Sequence, residues 1–163
     1  MTLPSLEVRV EQFREERNVE FEDYLGAGTQ GTVFVFKVPS QELRLAVKFH
    51  HRTIAYHREI SVYYRLQDLN ITHIDGHRVP IMTGCDDCLL AIEMTIVSPP
   101  FCLDFGGAYL DRPPDYSAEV WEDWREMKSE AFEENWPKVE SILAEFRSIG
   151  IYIADVNPGN IRF

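Results

Sequence analysis

The sequence predicts an α+β protein: an antiparallel five-stranded sheet with one helix in the first half, then a minimal helical second half. Three observations carry this. Residues 21–97 contain five short runs of strand-forming or alternating residues around a single helical stretch. The following segment, SPPFCLDFGGAYLDRPPDYS, is rich in Pro and Gly and reads as a linker or an ordered loop. From Ser117 onward the apolar residues switch to helical spacing.

The elements follow in order. FEDYLGAGTQGTVFVFKV, residues 21–38, predicts two strands around a glycine-rich turn. Residues 43–49 alternate, with Leu43, Leu45, Val47 and Phe49 on one face and Arg44, Ala46 and Lys48 on the other. Residues 53–67 suit a helix with Tyr56, Ile60 and Tyr63 on one stripe and Glu59 and Leu66 beside it. HRVPIMTG and CLLAIEMTIV predict two more strands, joined at Asp86-Asp87. In the second half Val120, Trp124, Met127 and Ala131 form one helical stripe. A second helix starts near Pro137, carries Val139, Ile142, Leu143, Phe146 and Ile149, and stops at Gly150. The expected division is therefore 1–97, a linker over 98–116, and 117–163.

Composition narrows the class. At 163 residues and 45% apolar content, the chain suits one domain, or one small lobe with part of another. A net charge of −11 argues against a nucleic-acid binder, which needs a basic stripe. Three cysteines do not make a secreted disulfide framework, and no apolar run is long enough to span a bilayer. The N-terminal stretch is too polar and acidic for a signal peptide. The expectation is a cytoplasmic protein with no nucleic-acid or membrane partner.

Two motifs suggest phosphate chemistry. Gly26-Ala27-Gly28-Thr29-Gln30-Gly31-Thr32-Val33 fits G-x-G-x-x-G-x-V. It runs into a strand, whereas a dinucleotide site needs it to open a helix, and no Gly-Lys-Ser/Thr follows as in a P-loop. What remains is a β-hairpin, either a plain turn or a lid over a nucleotide. The next strand carries Ala46-Val47-Lys48, and the helix after it offers Glu59 as the acidic partner that a buried lysine needs. Near the end, Asp155 and Asn160 flank an Asn-Pro-Gly turn with apolar residues on both sides.

Taken in this order, the glycine hairpin, the Ala-Val-Lys strand, the Glu59 helix and the D-x-x-x-x-N loop resemble the protein-kinase-like superfamily over residues 20–163. The resemblance implies that Gly26, Gly28 and Gly31 cover phosphates, that Val33 and Ala46 sandwich adenine, and that Lys48 binds phosphates and pairs with Glu59. It puts Ile92 at the gatekeeper position and Glu93 to Ile96 at the hinge. It makes Asp155 the residue that orients the attacking hydroxyl and Asn160 a metal ligand, with ATP and Mg²⁺ as cofactors.

Departures from the family shape the expectation. Ile153 and Ala154 stand where protein kinases have His-Arg, and Asn157 stands where Ser/Thr kinases favour lysine; the wording is closer to the small-molecule and lipopolysaccharide kinase branches. Kinases place a strand pair with a metal-binding Asp-Phe-Gly after this loop, and the present sequence ends at Phe163, so the resemblance is to a C-terminally truncated form. Asp104-Phe105-Gly106 lies ahead of the loop, in the linker, and reads as a coincidence or at most a ribose-side contact. Three readings stand: an ATP-dependent phosphotransferase, a pseudokinase that binds nucleotide without transfer, and an interaction module. Residues 111–140 hold ten acidic and four basic side chains, either a solvated face or a docking surface for a basic protein partner, and the three tryptophans among them read as packing residues. A second copy is the other expected partner, covering the strand-like Ile161–Phe163. Cys85 and Cys88 have zinc-knuckle spacing but no second cysteine pair, and His50, His51 and His57 read as surface or capping residues.

Overall fold

The computed structural model describes residues 3–163. In chain order the elements are α1 (Leu6–Arg17), β1 (Glu20–Ala27), β2 (Gly31–Val38), β3 (Leu43–His50), α2 (Thr53–Asp68), β4 (His73–Ile74), β5 (His77–Arg78), β6 (Met82–Asp86), β7 (Ala91–Met94), β8 (Phe101–Cys102), β9 (Ala108–Leu110), α3 (Ala118–Phe132), α4 (Trp136–Ser148), β10 (Ile151–Ile153) and β11 (Ile161–Arg162). The chain is thus α+β. It divides into two compact units: the chain through Ile60 with Ile81–Ile96, and Ser61–Pro80 with Val97–Phe163. Residues 61–80, which the sequence placed in the first half, group by contact with the second unit.

The first unit is built on a five-stranded antiparallel sheet in the order β1-β2-β3-β7-β6. Because side chains alternate along a strand, Phe36, Val47 and Phe49 share one face, and they form a core there with Phe13, Val19, Leu89 and Ala91. The other face carries Val35, Ala46, Lys48 and Ile92, all buried.

Helix α1 gives this unit a second helix where the sequence predicted one. Its start is set by Ser5, whose hydroxyl accepts the Val8 N–H at 3.4 Å. Its inner stripe has few apolar side chains, Leu6, Val10 and Phe13, because an arginine lies within it. Arg9 is only 2% exposed and donates through Nη1 to the carbonyls of His50 at 3.0 Å and Leu89 at 2.8 Å. A hydrophobic pattern scores that position as surface, and the helix is missed.

The strand expected over residues 77–84 is two strands in different sheets. Proline lacks an N–H for a ladder, and Pro80 separates β5 from β6. The next strand starts at Ala91 because Cys88 and Leu89 give their N–H groups to Asp86 Oδ1, each at 3.0 Å, closing the turn.

The second unit holds a four-stranded sheet, β11-β8-β5-β4, and the antiparallel pair β10-β9. The Pro/Gly-rich stretch 98–116 is therefore ordered and supplies β8 and β9. Helix α4 has Pro137 in its first turn and buries Val139, Ile142, Leu143 and Phe146; Gly150 leaves it at φ +80°. Helix α3 departs from expectation. Val120 is 45% and Met127 56% exposed, and Phe132 is its buried residue. Its packing side is aromatic instead: Trp121 meets Tyr116 and Trp124, and Trp124 meets Trp136.

Candidate phosphate-binding and catalytic-loop residues

The three hairpin glycines have three different reasons. Gly26 sits at φ +148°, a conformation side chains avoid. Gly31 is held against β3, where an added Cβ would lie 2.6 Å from the Phe49 carbonyl oxygen. Gly28, whose N–H closes the turn on the Gly31 carbonyl at 2.9 Å, has open space where a Cβ would point. Contacts within the chain therefore explain Gly31, and backbone conformation explains Gly26. Gly28 is left as the position that presents bare backbone outward.

Cross-strand register gathers the next group. Val33 pairs with Lys48, Lys48 with Ile92, and Ala46 with Val35 and Met94, so these side chains share one face. Lys48 is 5% and Glu59 1% exposed, and Lys48 Nζ lies 2.7 Å from Glu59 Oε2. His50, two residues along β3 and fully buried, brings Nε2 to 2.6 Å from the same oxygen. Burial by itself pushes the Glu59 carboxyl up. The Lys48 charge, followed by the His50 hydrogen bond, outweighs that and pulls it down to about 2. Sequence reasoning read His50 as a surface or capping residue; the signal available for its burial was its place on the Ala46/Lys48 face of an alternating strand.

The residues assigned to a hinge separate. Glu93 lies within β7, paired with Val47 on one side and Gly84 on the other, so its backbone belongs to the sheet. Its carboxylate accepts from Arg17 Nε at 3.0 Å. Thr95 gives its N–H to the Ile81 carbonyl, and the chain leaves the sheet around Ile96, which is 42% exposed.

In the second unit the loop between β10 and β11 is folded by its own asparagine. Asn157 Oδ1 accepts the Gly159 N–H at 2.9 Å, and the Asn157 carbonyl accepts the Asn160 N–H at 3.0 Å. Val156 is buried beneath, while Asp155 is exposed and Asn160 half-buried. Trp124 Nε1 donates to the Ala154 carbonyl at 2.8 Å and ties α3 to the residue before Asp155.

The strands around this loop pair with the strands around Asp104-Phe105-Gly106. Ile161 and Arg162 pair with Cys102 and Phe101, and Ile151, Tyr152 and Ile153 with Leu110, Tyr109 and Ala108. The Leu103 N–H reaches the Asn160 carbonyl at 2.8 Å. Gly107 lies against Asp155; a Cβ there would be 2.7 Å from the Asp155 Cβ. Phe105 is fully buried, edge-on to Tyr63 at 5.5 Å and Phe146 at 5.7 Å, which fixes the triplet in place. Asp104 sits half-buried at φ +66°. The triplet set aside on sequence grounds is thus a neighbour of the Asp155–Asn160 loop.

Cys85, Cys88 and Cys102 are free thiols. Among the described residues no group of three or more His, Cys, Asp or Glu side chains is arranged to hold a metal ion, and no helix is long and apolar enough to cross a membrane. Comparison of the chain with protein-family models, curated proteins and solved structures gives no match.

Proposed function

We propose that this chain is a kinase-like ATP-binding protein whose parts occur in a permuted order. In the superfamily it resembles, a strand pair bearing the metal-binding acid follows the catalytic-type loop. Here β8 and β9, with Asp104 between them, precede the loop in sequence and pair with its flanking strands β11 and β10. This pairing is the observation that carries the proposal. It sets an acid, Asp104, on a loop whose flanking strands pair with those of the Asp155–Asn160 loop.

The roles follow from chemistry. The hairpin backbone at Gly28 and the buried Lys48 bind phosphates, with Glu59 holding the amine ionised and aimed. Asp155, exposed on its loop, accepts the proton of an acceptor hydroxyl and orients it. Asp104 and Asn160 offer hard oxygen donors from adjacent loops, a set that suits Mg²⁺, which is usually held by one or two carboxylates together with substrate phosphates. Mg²⁺ bound there neutralises phosphate charge.

Calorimetric titration of ATP, with and without Mg²⁺, into wild type and Lys48→Ala tests this. Metal-dependent binding that the substitution abolishes is expected; no binding by the wild type overturns it. A second reading, an interaction module, is favoured by Val120 and Met127, exposed on α3 among acidic residues. It predicts capture of a basic partner and an empty ATP titration.

A further inference from the structure

Resting on that nucleotide-binding reading, we propose that His50 is a positioning residue: its imidazole holds the Glu59 carboxylate independently of Lys48, so that the carboxylate stays in place while the Lys48 amine is shared between it and an anionic phosphate.

The need for a second anchor follows from burial. A carboxylate removed from water is compensated less fully once its cation is shared with another anion. Glu59 is 1% exposed, and Lys48 is the residue the ATP reading assigns to phosphate. One oxygen, Oε2, takes both Lys48 Nζ at 2.7 Å and His50 Nε2 at 2.6 Å. When the lysine is shared with phosphate, a short hydrogen bond from His50 therefore stays on that same atom.

His50 is built to stay where it is. Its own N–H is bound to the Leu90 carbonyl at 2.9 Å, and its Nδ1 lies 3.2 Å from that oxygen. Its carbonyl accepts from Arg9 on α1. Its ring is edge-on to Tyr56 at 5.6 Å, and Tyr56 in turn donates to Asp87 at 2.6 Å. Among the described contacts, Glu59 and Tyr56 on α2 meet the imidazole directly, Lys48 on its own strand shares Glu59 with it, Asp87 on the β6–β7 turn is linked through Tyr56, and Arg9 on α1 is linked through the His50 carbonyl. Of these, Glu59 is the one that Nε2 touches at hydrogen-bond distance. On β3 the alternation that turns Lys48 inward turns His50 inward as well, so the strand delivers the cation and the anchor together.

The test reads the Glu59 carboxyl carbon by ¹³C NMR through an acid titration, without nucleotide, and then Mg·ATP affinity. In Lys48→Met, Glu59 remains ionised at neutral pH. Adding His50→Leu raises its protonation midpoint by about one unit or more, a tenfold change matching the loss of one charge-assisted hydrogen bond. Mg·ATP affinity falls about tenfold in His50→Leu and recovers in His50→Gln, whose amide still donates. If wild type binds no ATP, the nucleotide reading fails and the carboxyl titration still judges His50. An unmoved Glu59 midpoint on adding His50→Leu overturns the proposal, as does undiminished ATP affinity in that variant. Should His50→Leu not fold, a Glu59 found protonated at neutral pH in Lys48→Met overturns it alone.

Discussion

Replacing Glu59 with glutamine removes the one carboxylate that Lys48 and His50 share while keeping its shape. Lys48 is 5% exposed and His50 fully buried, so the variant leaves a buried ammonium facing a neutral amide. Breaking a buried ion pair from one side costs about 3–5 kcal/mol, and the glutamine carbonyl still accepts a hydrogen bond, so about 3 kcal/mol is expected at neutral pH. That is a large share of the roughly 5–15 kcal/mol that holds a domain together. The effect also has a pH signature. The folded Glu59 carboxyl lies at about 2 against an ordinary 4.5. A depressed carboxyl contributes stability that is complete above its ordinary value and is lost as pH falls through the folded one, here roughly 3 kcal/mol. Glutamine has no such loss, so the gap between wild type and variant narrows as pH drops from about 4.5 to about 2. Guanidinium unfolding followed by circular dichroism at several pH values reads this directly. A gap below about 1 kcal/mol at neutral pH, or one constant across the acid range, would refute the buried shared carboxylate.

Other substitutions separate the roles of neighbouring residues. Gly31→Ala should cost about 1–3 kcal/mol in the same unfolding assay, because its Cβ would meet the Phe49 backbone oxygen at 2.6 Å. Gly28→Ala, pointing into open space, should stay within about 0.5 kcal/mol, and equal losses would contradict the hairpin geometry. Trp124→Phe strips the Ala154 carbonyl of its donor, so a loss of about 1 kcal/mol and a shifted Asp155 amide resonance are expected. An unshifted resonance would mean that α3 does not hold the loop. Burial pushes the Cys102 thiol up to about 12, with Asp75 and Glu145 adding to the rise, while Cys88 is exposed. Iodoacetamide on the native protein should therefore label Cys88 and spare Cys102 until unfolding; equal rates would place β8 outside the second unit's interior.

Local pattern made much of the first unit legible. Alternation in 43–49 fixed which face of β3 carries Lys48, and the stripe through Tyr56, Ile60 and Tyr63 fixed α2 and placed Glu59 beside it. Patterns fail where a polar residue does a buried job. Arg9 interrupts the inner stripe of α1, and His50 reads as a surface or capping residue because its ring is polar, yet both are buried. They fail again where strands are too short to alternate: β8 and β9 have two and three residues within a Pro/Gly-rich stretch. The relation between Asp104 and the Asp155 loop is of another kind. It rests on β8 pairing with β11 and β9 with β10, contacts between segments far apart in the chain. No local composition encodes that pairing, so a triplet that looks misplaced in the sequence is adjacent in the fold. Glu93 shows the reverse case, a residue assigned by motif spacing whose backbone the sheet already uses on both sides.

The most direct test of the permuted site is paramagnetic broadening of backbone amide resonances on adding Mn²⁺ with ATP. Manganese takes the same oxygen donors as magnesium and broadens nearby nuclei. The account predicts that the amides of Asp104, Gly106 and Asn160 broaden together, and that Asp104→Ala removes the effect at Asn160 as well. Broadening at Asn160 with Asp104 and Gly106 untouched would contradict it.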